Sequence, residues 1–103
     1  MSPRQRHSSA RRRFLVAYNI ADPGRLRMVH KTVKAHGEPL QYSVVLCDLS
    51  PSELTSLKWS LGELMNHRED SMLFLDLGDP TDMSAFHFLG ERADLPSSGP
   101  VVL

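Results

Sequence analysis

Two short polar side chains, Asn19 and Asp22, stand just after the apolar run "FLVAY" at residues 14 to 18. A residue at the end of a buried strand has a fixed backbone and a tip that reaches solvent, which suits contact with a ligand. A carboxylate there would be easy to interpret as a group that does chemistry. Asn19 departs from that chemistry. An amide offers a metal a neutral oxygen, or a partner a hydrogen bond, but no negative charge. Asp22 is the fallback carboxylate, yet Pro23 after it suits a first helical position, so Asp22 is also accounted for as a helix cap. Neither residue is assigned as a catalytic group or metal ligand from these patterns alone.

The second group that could do chemistry is basic. Arg25, Arg27, Lys31 and Lys34 follow within one helical segment, where lysine and arginine could bind backbone phosphates without reading sequence. A solvated helix face is the ordinary alternative. Arg11, Arg12 and Arg13 lie just before the first strand and could extend the same surface. The formal net charge of zero hides this asymmetry: the first thirteen residues hold five arginines and no acidic side chain, so the rest carries minus five. Such an arm meets nucleic acid or remains a solvated tail.

Other candidate groups point to structure. His7, His30, His36, His67 and His87 show no paired metal-ligand spacing. A single cysteine, Cys47, excludes an internal disulfide and a zinc ribbon, implies a reducing, cytoplasmic setting, and reads as a small strand residue. Trp59 falls about 140° around its helix from Leu54, away from the apolar stripe, where it could anchor a partner. No apolar run reaches membrane length, so no membrane association is expected.

The elements that must position these groups follow from periodicity. Residues 14 to 20 suit a buried strand. Asp22, Pro23 and Gly37 bracket a first helix, with Leu26, Val29 and Val33 on one side and Arg27, Lys31 and Lys34 on the other. Residues 38 to 49 are extended, as one bent strand or two short ones. "SPSE" at 50 to 53 is a capping box that opens a second helix running to about Asn66 on Leu54, Leu57, Leu61 and Leu64. Residues 71 to 77 form another strand and 85 to 90 a weaker one. The expected organisation is a basic N-terminal arm at 1–13, a domain at 14–90, and a linker with a C-terminal edge strand at 91–103. The fold class is α+β, a ferredoxin-like sandwich with two helices on one face of an antiparallel sheet. "PVVL" could complete a sheet edge, within the chain or in a second copy, so a homodimer is expected.

From about Phe14 to Leu77 the sequence resembles the CRISPR-associated protein 2 family, the small subunit of the spacer-acquisition machinery. The resemblance rests on Tyr18, Asn19 and Ile20 closing the first strand, on Asp22, Arg25 and Gly37, on Gln41, Ser43 and Val44, on Ser50, Pro51 and Glu53, and on "EDSMLFLDLG". It implies a ferredoxin-like homodimer whose C-terminal strands are exchanged, and a DNA-binding platform that bridges integrase subunits on double-stranded DNA. It also implies, for some members, a metal-dependent nuclease acting on RNA or DNA through an aspartate at the end of strand one, with Mg²⁺ as cofactor. The matching position here is Asn19, and Val45 and Leu46 replace the family's frequent Phe and Glu. The favoured reading is therefore an adaptor inactive as a nuclease, and the alternative is a metal-dependent endonuclease at the dimer cleft. A toxin-like ribonuclease with the same plait is a third reading.

Overall fold

A computed structural model of the chain describes residues 10–90. Six elements follow in the order β1 (Arg12–Asn19), α1 (Pro23–Lys34), β2 (Gly37–Gln41), β3 (Val44–Leu49), α2 (Pro51–Leu64) and β4 (Ser71–Gly78). The sheet order is β2-β3-β1-β4, with every neighbouring pair antiparallel. This is the expected ferredoxin-like plait. The extended segment after α1 is two strands joined by a two-residue turn at Tyr42 and Ser43, with a register shift between Pro39 and Gln41.

Strand alternation divides the sheet into two chemically different faces. Phe14, Val16 and Tyr18 of β1 and Val45, Cys47 and Leu49 of β3 are buried under the helices, where they meet Val29 and Val33 of α1 and Leu57 and Leu61 of α2. The cross-strand register puts Arg13, Leu15, Ala17 and Asn19 on the other face, with Val44, Leu46 and Asp48 of β3 and Ser71, Leu73 and Leu75 of β4. That face carries no helix among the described residues. It is largely apolar in its middle and polar at its ends.

Both helix starts are chemically explicit. Asp22 Oδ2 accepts from the Arg25 amide at 2.8 Å, and Pro23 occupies the first turn where its missing N–H costs nothing. The α2 capping box is complete, with Ser50 Oγ accepting from Glu53 N and Glu53 Oε1 accepting from Ser50 N. Gly37, in contrast, is not the stop of α1. That helix ends at Lys34 with Ala35 as its cap, and Gly37 opens β2. A Cβ at residue 37 would collide with the Leu46 carbonyl oxygen and lie 2.8 Å from Cys47 Sγ, so the glycine permits close approach of two strands.

Two further expectations differ. Strand β1 begins at Arg12, so Arg12 and Arg13 belong to the domain and not to an arm. Residues 85–90 form no strand. Left-handed Gly78 (φ 84°) closes β4, and Asp79 and Asp82 then accept from the amides of Thr81 and Ser84 in successive turns. The chain crosses the helix-free face, where Met83 Sδ lies 3.7 Å from Arg13 Nη1 and Ala85 to Leu89 border a cavity against Leu15, Leu40 and Val44. The proposed edge strand "PVVL" and the arm before Ala10 lie outside the described residues.

Candidate nucleic-acid interface and strand-end site

At the end of β1, Asn19 is exposed on the helix-free face and sits opposite Ser71 of β4. Ala21 then leads into the cap of α1 through a hydrogen bond from its amide to Asp70 Oδ1 at 2.9 Å. Asp70 is the buried carboxylate of this region. Its Oδ1 also accepts from Arg25 Nη2 at 3.1 Å, while its Oδ2 accepts from Arg25 Nε at 2.9 Å and from the Asn66 amide at 2.8 Å. A carboxylate has about four lone-pair sites, and here all four have donors. The paired Arg25 side chain, with the two amides, holds Asp70 far below the usual carboxylate range, and the same pairing raises Arg25.

These groups fit a fold clamp and not a magnesium site. Asn19 brings no charge, Asp22 spends one oxygen on its helix, and Asp70 has no free lone pair for a metal. Among the described residues, no group of three or more His, Cys, Asp or Glu is placed to hold a metal ion. The Mg²⁺ that the resemblance implies is thus not matched by the donors this chain presents at the strand end.

The seven candidate cations separate into two classes. Arg13 is fully buried on the helix-free face, with Nε 2.7 Å from Asp48 Oδ1 and Nη2 3.0 Å from Asp48 Oδ2. Arg12 forks onto Asp76 at 2.9 and 3.0 Å, Arg11 bonds Glu53 and the Asp48 carbonyl, and Arg25 bonds Asp70 and Glu69. These four arginines are neutralised by carboxylates. Arg27, Lys31 and Lys34 are exposed and make no ion pair among the described residues. Their positions, four and then three residues apart, form one stripe along α1. Of the seven candidates, the cations without an ion pair are therefore confined to α1.

Beside the stripe, α1 and the β2–β3 turn enclose a cavity of about 180 Å³ lined by Pro23, Leu26, Arg27, His30 and Tyr42. Tyr18 ties its two walls together: its hydroxyl bonds His30 Nδ1, and its amide donates to Ser43 O at 3.1 Å. Burial pushes the Tyr18 phenol upward, keeping it neutral. Trp59 is 72% exposed on α2, as its helical position predicted. Cys47 is buried and its thiol is pushed up to about 11 by burial, with Asp48 adding to the effect, so it is no nucleophile at neutral pH.

Residues 12–85 match the family of CRISPR associated protein Cas2. The chain belongs to that family. It is 40% identical over 78 residues to CRISPR-associated endoribonuclease Cas2 1 of Rhodospirillum rubrum, covering 76% of each chain. CRISPR-associated endonuclease Cas2 of Halalkalibacterium halodurans is 31% identical, over 76% of this chain and 80% of that one. The crystal structure of Streptococcus pyogenes Cas2 superimposes with a TM-score of 0.68 at 30% identity, covering 76% of this chain and 99% of the other. Cas2 membership accounts for the plait and its element order. No helix among the described residues is long and apolar enough to cross a membrane.

Sequence reasoning missed the function of Asp70 as a clamp. The available signal was a lone aspartate directly before the apolar run of β4, a place where a buried carboxylate must find donors. It also assigned Arg25 and Arg13 to phosphates because nothing in a one-dimensional pattern links them to carboxylates 45 and 35 residues away.

Proposed function

We propose that this Cas2-family chain is a CRISPR adaptation subunit: a homodimeric, non-catalytic adaptor that binds double-stranded DNA and bridges integrase subunits during spacer acquisition. The observation that carries this reading is Asn19, an exposed amide at the strand end where the family resemblance calls for a carboxylate. A site without that charge holds a hydrolytic metal and its activated water poorly. What remains is binding. Arg27, Lys31 and Lys34 are free to neutralise phosphates, a contact that supplies affinity without reading sequence.

The dimer has its own support. Leu73 and Leu75 are 55% and 47% exposed on the helix-free face, beside Leu15 and Ala17, and a second copy would remove this apolar surface from water. Exposed Trp59 is the candidate anchor for the integrase partner. A second reading, metal-dependent cleavage of RNA or DNA, is favoured by the endoribonuclease and endonuclease names of the relatives. It requires Asp22 of two copies to serve in place of Asn19. Co-purification with the CRISPR integrase subunit tests the adaptor role. A complex that survives gel filtration and is weakened by Trp59→Ala is expected; no complex in the presence of duplex DNA contradicts it.

A further inference from the structure

We infer that the cavity between α1 and the β2–β3 turn is a pocket for one unpaired nucleobase of DNA, stacked on Tyr42 with its phosphate on Arg27. This inference rests on the DNA-binding reading above and adds a second kind of contact to it. Tyr42 is 79% exposed although it belongs to a two-residue turn in which a small polar residue would serve the backbone equally well. Tyr42 lines the cavity together with Pro23 and Leu26, which add apolar surface to it. An exposed aromatic beside an apolar slot suits a flat π-system, because every base has a face that can stack.

Charge and size select the occupant further. None of the five lining residues is acidic, and Arg27 makes no ion pair among the described residues. Arg27 is also the first member of the Arg27, Lys31 and Lys34 stripe, so a strand tracking the stripe by its phosphates would deliver its next nucleotide to the cavity mouth. At about 180 Å³ the space is smaller than the 300–1,000 Å³ of a typical drug-sized site and suits a single ring system. The walls are preset. Tyr18 bonds His30 on α1 through its hydroxyl and holds the Tyr42–Ser43 turn through its amide, so the gap does not have to form on binding. A paired base inside a duplex cannot enter such a slot, whereas the last nucleotides of a single-stranded end can.

The test uses the full chain and two DNA probes of equal duplex length, one blunt and one with a two-nucleotide single-stranded end carrying the fluorescent base 2-aminopurine, together with a control duplex whose single-stranded end is RNA. The wild type should bind the tailed duplex about tenfold more tightly than the blunt one, with quenched fluorescence, as expected for one stacked base. Tyr42→Phe should retain that preference, and Tyr42→Ala should reduce it to near unity, with an unchanged circular dichroism spectrum recording the fold. Equal affinity of the wild type for both probes, or a preference that persists in Tyr42→Ala, overturns the pocket while leaving phosphate binding by the stripe standing. Failure of the wild type to bind even the blunt duplex would instead sink the DNA-binding reading itself. A Tyr42-dependent preference for a single-stranded RNA tail over the DNA tail overturns the assignment of DNA as the occupant.

Discussion

Arg25 and Asp70 face one another in a two-armed ion pair, Nε to Oδ2 at 2.9 Å and Nη2 to Oδ1 at 3.1 Å. The same carboxylate takes the amides of Ala21 and Asn66, so one side chain joins the β1–α1 loop to the α2–β4 loop. An arginine on the proposed DNA-facing helix is thereby committed to holding that helix in place.

Asp70→Asn should accordingly lower the thermal midpoint more than Arg12→Ala, which removes an exposed pair with Asp76. The pH dependence has a definite sign. Asp70 has a folded pKa depressed chiefly by Arg25, so its contribution is present above the unfolded value of about 4 and is lost as pH falls toward the lower folded value. Thermal melts of the wild type from pH 6 downward should show a falling midpoint below about pH 4, and a shallower fall in Asp70→Asn. Identical slopes would remove Asp70 from the account.

Two glycines give opposite expectations. Gly37→Ala should destabilise the fold, since the new methyl meets the Leu46 backbone, which cannot move without disturbing the β2–β3 ladder. Gly62→Ala, inside α2 with nothing within 4 Å of the added Cβ, should stabilise by about 0.5–1 kcal/mol. Denaturation midpoints of the two variants decide this directly.

Duplex DNA binding should depend on Arg27, Lys31 and Lys34. Replacing all three by alanine should reduce the slope of log affinity against log salt by roughly 2.7 per protomer, at about 0.9 per phosphate contact. Arg12→Ala should leave the slope nearly unchanged because its charge is already offset by Asp76. A triple variant with wild-type affinity and slope would place the DNA elsewhere.

Much of this was legible in the sequence because it was local. The capping box at Ser50 and Glu53, the Asp22 cap and the apolar run that makes residues 14 to 20 a strand each depend on neighbours within a few positions. The failures are long-range or are questions of competition. Gly37 looked like a helix stop, but the approach of Leu46 determines it. "AFHFLG" has strand-like residues, yet it forms no strand after the Asp79 and Asp82 turns. Arg13 and Arg25 are chemically suited to phosphate, and carboxylates brought near by the fold take them first.

A charge placed on the helix-free face should separate the proposed dimer. Leu73→Glu puts a carboxylate on the apolar patch shared with Leu15 and Leu75, where burial in a second copy would leave it unpaired. Light scattering across a dilution series should give a dimer mass for the wild type and a monomer mass for the variant. Two equal masses would move the interface off this face.

The central claim, that Asn19 makes this chain an adaptor and not a nuclease, is tested most directly by cleavage of labelled RNA and duplex DNA. The purified chain and its Asn19→Asp variant are compared in Mg²⁺, in Mn²⁺ and in chelator. The account predicts no metal-dependent cleavage by the asparagine form, and allows cleavage only where the aspartate restores an anionic ligand. Robust cleavage by the asparagine form, abolished both by chelator and by Asp22→Ala, would contradict it and place the active centre at Asp22.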